Sequence, residues 1–413
     1  MSHPLATNDQ RELEALCLRI AATPGVRAAR EQARALLLAN PTSRTPDGAA
    51  GLDRALDQWV MAGVVAIANN DPSRPRALWA IDNTPREWFG HVFPGAAVAI
   101  DNPDNVNRTM PLNGAWEYQV NGRFGKHSTA QTSFIVTPAE EGQLRLGNTI
   151  AALTNLDLQA DSDGRFAITL DKRPAGGRVN HMQITGGAQM LAIRDSHSDW
   201  RQRATEIQVV PMSGPAAPAP VAEDVLARAA AESIVEFVAF WLEFKNTFWK
   251  TPPFNQVIGP LGRDGGWGYQ AGGRFKLSDD EALVITTGGA GAAYTGFQVS
   301  DPWTISPDPK YATTSRNSSQ VTANPNGSHT YVISVIDPGV ANWIDTAGLH
   351  EGWFMLRWQN VKTADPSSLL RSARLVRWTE LDAELPPGTP RATLQQRSAE
   401  IQRRAEDYES RYK

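Results

Sequence analysis

Residues 114–124, GAWEYQVNGRF, return at 265–275 as GGWGYQAGGRF, with seven of eleven positions identical. So dense a match at one offset points to an internal duplication. Its large side chains alternate at period two, which puts Trp116 and Tyr118 on one face of a strand. Gly122 and Gly273 read as turn glycines, where the missing Cβ permits positive φ. A second, gapped pair follows: GRFAITLD (164–171) against GSHTYVISVID (327–337). Val179, Thr185 and Gly187 then fall over Val340, Thr346 and Gly348, and each copy runs into an apolar strand, MLAI (190–193) and FMLRW (354–358).

Around these segments the chain is built of short β-branched and aromatic runs between Gly, Asn, Asp and Pro, such as AVAI (97–100), SFIV (133–136) and FAITL (166–170). That grammar belongs to antiparallel sandwiches. The first 70 residues instead show helical stripes, and Val221–Trp249 carries Leu226, Ala230, Ile234, Phe237, Trp241, Phe244 and Phe248 at steps of three and four. The fold expected is mainly β: two duplicated antiparallel jelly-roll-like β-sandwich domains with a helical N-terminus, a linking helix and a C-terminal helix. The expected boundaries are 1–74 for the N-terminal helical segment and 75–212 for the first sandwich. A Pro/Ala linker and long helix follow at 213–252, the second sandwich at 253–382, and the C-terminal helix at 383–413.

Composition narrows the function. Among 413 residues, 40 basic side chains face 44 acidic ones, for a net charge of −4. Nothing there drives phosphate-backbone binding, so nucleic acid is not an expected partner. A single cysteine, Cys17, gives neither a disulfide framework nor a Cys-rich zinc site. The start of the chain lacks the charged and apolar regions of a secretory signal, which predicts a cytoplasmic location. Ile234–Leu242, interrupted by Glu236, is too short for a membrane span.

DNPDNVNRT (101–109), LAIRDSHSDW (191–200) and especially DPGVANWIDTAGLHEGWFMLRWQ (337–359) resemble the bacterial proteins with a DUF1214 domain, often paired with a DUF1254 domain. The likeness covers about 255–380 and implies a β-rich fold of jelly-roll type. It supplies no catalytic residues, because the family carries no assigned activity.

Candidate chemistry therefore rests on the residues. In Asp195-Ser-His197-Ser-Asp199-Trp200, positions two apart on a strand project together. Two carboxylates beside an imidazole could divide acid and base roles, with His197 as relay. The second copy has no acids at the corresponding Trp358-Gln359-Asn360. The Asx-rich run containing Asp101, Asp104 and Asn105 could grip hydroxyls, although such runs also make turns. Asn342, Trp343 and Asp345 offer an aromatic platform beside amide and acid, and Ile184 of the first copy falls over Asp345. Trp200 and Trp303 complete the candidate substrate-binding set as stacking walls.

The expected function is an enzyme with carboxylate acid/base chemistry: a metal-independent hydrolase or lyase, without cofactor. Its substrate would be a carbohydrate-like or terpenoid/steroid-like small molecule, held in a cleft between the two β-domains. The alternatives are a non-catalytic protein binding a glycan or lipid-like ligand, and an oligomeric scaffold, a homo-oligomer joined through its terminal helices.

Overall fold

The computed structural model describes residues 3–139, 148–248, 252–263, 268–361 and 365–412. Three helices open the chain: α1 (Asn8–Ala21), α2 (Pro24–Ala39) and α3 (Pro46–Ala68). Each start is written in the sequence. The Thr7 hydroxyl accepts from the Gln10 amide, Thr45 accepts from Gly48, and proline opens α2 and α3 where no amide is needed.

After them come β1 (Leu78–Ile81) and a small hairpin, β2 (Arg86–Trp88) with β3 (His91–Phe93). The first sandwich continues with β4 (Asn105–Asn113), β5 (Glu117–Arg123), β6 (Gln131–Pro138), β7 (Ala151–Thr154), β8 (Arg165–Asp171), β9 (His181–Gln183), β10 (Ala188–Ser196) and β11 (Glu206–Ser213). Helix α4 (Glu223–Phe248) connects it to the second sandwich: β12 (Ile258–Gly262), β13 (Gly268–Lys276), β14 (Glu281–Thr287), β15 (Tyr294–Ser300), β16 (Ser315–Asn317), β17 (His329–Ser334), β18 (Trp343–Asp345), β19 (Glu351–Gln359) and β20 (Leu370–Arg377). Helices α5 (Leu381–Glu384) and α6 (Leu394–Glu409) close the chain.

The sheet orders establish the duplication. The first sandwich pairs β1-β4-β10-β6-β7 over β11-β5-β8-β9, and the second pairs β12-β13-β19-β15-β16 over β20-β14-β17-β18. The two orders coincide strand for strand. Ladder registers align residue by residue: Ile193 beside Phe134 matches Leu356 beside Phe297, and Leu170 beside Met182 matches Ile333 beside Ile344. The gapped sequence pair is therefore a true equivalence, of β8 with β17, each opened by a glycine at positive φ (Gly164 at 78°, Gly327 at 75°).

The denser sequence match is not an equivalence. Its first copy runs along β5, in a four-stranded sheet, and its second along β13, in a five-stranded sheet whose counterpart is β4; residues 265–267 lie outside the described residues. Gly122 and Gly273 also sit inside strands rather than turns. A Cβ on Gly122 would come 2.1 Å from the Phe166 ring, and one on Gly273 2.1 Å from the Gln256 carbonyl. These glycines answer to close packing.

The N-terminal helices do not form a separate core. Leu13, Cys17, Leu52, Trp59 and Val64 share one apolar cluster with Ile234, Phe237 and Trp241 of α4 and with Trp303 and Ile305 of the second sandwich. The Phe248 side chain lies outside the described residues. No described helix is long and apolar enough to cross a membrane.

Helix α6 works within the chain as a strap. Arg397 reaches Asp337, the Arg404 guanidinium lies 4.6 Å from the Trp200 ring centroid, and the Tyr408 hydroxyl bonds Thr84 Oγ1 at 3.0 Å. Glu400 on this helix accepts from Arg316, whose side chain is 2% exposed. Glu400→Ala leaves that buried guanidinium uncompensated and is expected to cost about 3 kcal/mol, read as a lower urea midpoint.

Candidate functional site

Strands β10 and β19 are covered on both faces. Along β10, Leu191 and Ile193 enter the first sandwich core, so Met190 and Arg194 point the other way; along β19, Phe354, Leu356 and Trp358 enter the second core and Met355 and Arg357 point away. These outward faces meet at the interface between the two sandwiches. There they line a cavity of about 130 Å³. Its polar wall carries Asp101, Asn105, Asn107, Gln270, Arg194, Arg357 and Arg263; its apolar wall carries Ile81, Val98, Ala99, Met190, Met355 and, from α4, Trp241 and Phe244.

The polar wall repeats the duplication. Arg194 lies directly across from Asn107, and Arg357 directly across from Gln270, in the matching ladders of the two five-stranded sheets. Arg194 Nε donates to Asn107 Oδ1 at 2.9 Å. Arg357 donates to Gln298 Oε1 at 2.6 Å and to the Ile100 carbonyl at 3.2 Å. Neither arginine forms an ion pair with any described residue. Burial, aided by the like charge of Arg357, brings Arg194 down to about 10. Three atoms of lining residues are buried without a hydrogen-bond partner: Asn105 Oδ1, Trp241 Nε1 and Arg357 Nε.

Asp101 is the acid of this wall. Its carboxylate accepts from the Val98 amide at 2.6 Å, and burial pushes its pKa up to about 6 despite that bond and the charges of Arg194 and Arg357. Asp101 and Asn105 are thus placed at the cavity as the sequence suggested, although Asp104, between them, is not.

The 195–199 segment is not brought together as a catalytic group. β10 ends at Ser196, so the alternation that would align Asp195, His197 and Asp199 stops before His197. Asp195 has no exposure; it pairs with Arg108 at 2.5 Å and accepts from the Thr132 and Thr205 hydroxyls at 2.8 and 2.7 Å. The His197 ring is buried, its Nδ1 2.9 Å from the Asp104 carbonyl, and its pKa is lowered to about 4 by desolvation and then by Arg411. It is a neutral imidazole at pH 7, unsuited to relaying protons from Asp195. Asp199 is held by Arg201 at the surface, and this pair lowers its pKa.

The remaining candidates are structural. Trp200 is 1% exposed and donates to Asp104; Trp303 is fully buried and donates to the Gly48 carbonyl. Asn342 bonds the Thr322 and Thr330 backbones, and the Trp343 indole donates to Ser334 beneath Arg397 of α6. Asp345 caps its own turn at the Ala347 amide, and the strand register sets Gln183, not Ile184, over it. None of these lines the cavity. The sequence reading missed Arg194, Arg357, Asn107 and Gln270, although an arginine inside an apolar strand in both copies, LAIR and FMLR, was a readable signal.

The chain matches no protein-family model, and no curated protein matches it; the DUF1214 likeness rests on the residues quoted above. Its fold is that of solved structures. A crystal structure of an uncharacterised protein from Burkholderia cenocepacia superimposes with a TM-score of 0.70 at 21% identity, covering 88% of this chain and 99% of the other. A protein of Vibrio parahaemolyticus gives 0.40 at 10% identity, over 67% and 90% of the two chains. The first likeness establishes a shared architecture and nothing about chemistry.

Two measurements separate these roles. Asp195→Asn strands the buried Arg108 and is expected to cost about 3 kcal/mol, whereas Asp199→Asn loses only a surface pair, within about 1 kcal/mol; urea denaturation of both variants checks the contrast. Asp101 has a folded pKa of about 6 against 3.8 for the free group, so its destabilising effect is fully present above pH ~6 and stability rises as pH falls from about 6 towards 4. Asp101→Asn should melt higher than the parent at pH 8, with the gap narrowing below pH ~6 and closing near pH ~4, followed as melting temperature against pH.

Proposed function

We propose that this protein binds a small amphiphilic organic molecule in the cavity between its two β-sandwiches. The observation that carries the reading is the division of the cavity into an aromatic and aliphatic wall, with Trp241, Phe244 and Met355, and a wall of guanidinium, amide and carboxyl groups. Ligand sites have this composition: mostly apolar, with a few convergent polar groups that fix orientation. Asn105 Oδ1 and Trp241 Nε1 support it, since buried polar atoms are nearly always paired in native proteins and these two are free to pair with a ligand.

The reading keeps the cleft expected between the β-domains and replaces the residues expected to act there. The small volume favours a compact apolar ligand over a glycan or a steroid. An engineered cavity of about 150 Å³ holds benzene, and this one, at about 130 Å³, takes a group of similar size. A hydrolase or lyase reading is supported at one point only, Asp101, the carboxyl in the wall whose pKa of about 6 suits it to proton transfer near neutrality.

A thermal-shift screen of small aromatic and aliphatic acids, alcohols and amides tests the reading. A binder at ~100 times its dissociation constant adds about 2.7 kcal/mol. Ala99→Leu, which fills the cavity from its apolar side, should abolish the shift while leaving the unliganded melt close to that of the parent. A shift that survives in A99L would place the ligand elsewhere.

A further inference from the structure

Three buried arginines elsewhere in this protein sit on carboxylates: Arg86 on Glu14 at 2.9 Å, Arg108 on Asp195 at 2.5 Å and Arg316 on Glu400 at 2.5 Å. Burying a guanidinium without such a partner is costly. Arg194 and Arg357 have no such partner among the described residues, and they occupy equivalent positions of the two repeats on one cavity wall; Arg404 also lacks one, but its three nitrogens are met by the Pro309 carbonyl, Gln320 and Ser315. Only the Nε of Arg194 has a partner among the described residues, which leaves both terminal nitrogens of its planar fork unused. Arg357 adds a buried Nε with no acceptor. Burial and then the charge of Arg357 lower the pKa of Arg194, and burial lowers that of Arg357, so the wall holds two like charges whose neighbouring acid, Asp101, is itself displaced towards its neutral form.

We infer that Arg194 and Arg357 form an anion clamp for the carboxylate of a small monocarboxylic acid, whose apolar body, no larger than a benzene ring, rests against Trp241, Phe244 and Met355. This rests on the cavity being the ligand site and names the ligand class. A carboxylate matches the geometry because a guanidinium fork binds its two oxygens in parallel. One negative charge suits the wall better than two, since Asp101 faces the same space. Ile81, Val98, Met190 and the two aromatic side chains of α4 present carbon to the body of the ligand, and a third guanidinium, Arg263, also lines the cavity.

Calorimetric titration of the full chain with benzoate, cyclohexanecarboxylate and hexanoate tests the clamp. Each acid is run against its uncharged amide, with inorganic phosphate as a bare anion. The acids should bind, and the amides at least ~10-fold more weakly, because hydrogen bonds to a charged group contribute about 1.5–3 kcal/mol each. Phosphate should bind more weakly than benzoate, since it has no apolar body. Arg194→Gln and Arg357→Gln should each weaken benzoate by ~10-fold or more, and Arg194→Gln, which gives up a single hydrogen bond to Asn107 and one of two like charges, should melt no lower than the parent when unliganded. A purely structural arginine would predict a lower melt. Amides binding as tightly as acids, or both variants binding benzoate like the parent, would overturn the clamp while leaving the cavity as a ligand site. The acid and amide comparison needs no variant to fold. If neither acids nor amides bind, the clamp fails; if, in addition, nothing in the wider screen responds to A99L, the cavity reading fails with it.

Discussion

The arrangement of the two sandwiches hangs on one buried carboxylate. Asp104, with no exposure, accepts from Trp200 Nε1 at 2.7 Å, from the Tyr294 hydroxyl at 2.8 Å and from Asn317 Nδ2 at 3.3 Å. The first donor belongs to the first sandwich and the other two to the second. Tyr294 also meets Asn102, Gln298 donates to the Ile100 and Asp101 carbonyls, and Gln131 donates to Asn360. Buried polar networks of this kind are directional, so they fix how two sheet faces meet where apolar contact alone would allow sliding. Two five-stranded sheets locked face to face cannot close on each other everywhere, because their residues differ in size. The cavity is the space left where Arg194, Met190, Met355 and Gln270 oppose one another.

Divergence between the repeats separates what the fold needs from what the interface uses. Inward positions change chemistry freely as long as each core is satisfied: Asp195 with its partner Arg108 stands where Trp358 and Ala271 stand in the second copy. A buried ion pair and an indole against a small side chain fill comparable space by different means. Position 195 therefore looked functional in sequence, being acidic in one copy alone, when it marks only a different solution to packing. One pair of outward positions behaves otherwise. Arg194 and Arg357, and the amides Asn107 and Gln270 beside them, keep their chemistry on the faces turned away from the sandwich cores.

The architecture was legible because strand patterning and apolar helix stripes are local. The stripe from Ala230 to Trp241 announces the buried side of α4, while the caps at Thr7 and Thr45 set helix starts that the apolar stripes alone left open. The duplication was reached partly through a misleading match. Large residues alternating along a strand and ending in Gly-Arg-Phe suit any strand that packs aromatics on one face, so β5 and β13 resemble each other while occupying different sheets. The gapped pair, weaker as a string of letters, was the true one, since β8 and β17 share their place in the ladder. The site was less legible because it belongs to neither repeat. Its residues lie on the outer faces of two sheets and on a helix between them, and only docking shows that those faces are covered.

That docking also explains why a β-protein keeps helices at its start. Trp59 and Trp303 meet edge to face at 6.4 Å, and Trp59 donates to the Val98 carbonyl at 2.8 Å, so α3 anchors both the 96–100 segment of the cavity wall and the second sandwich. Gln58 on the same helix holds the Ala97 amide and the Asn83 carbonyl at 3.0 and 2.9 Å. Helix α4 lies against α2 and α3 and turns Trp241 towards the cavity. The helices thus act as a brace for one wall while the sheets supply the other. A cavity between two rigid sheets and a braced helix holds its lining side chains in place before a ligand arrives, which lowers the ordering cost of binding. The free energy given up by two guanidinium groups without a carboxylate partner is sustainable in that setting, because Asp104 and the α6 strap carry much of the interface.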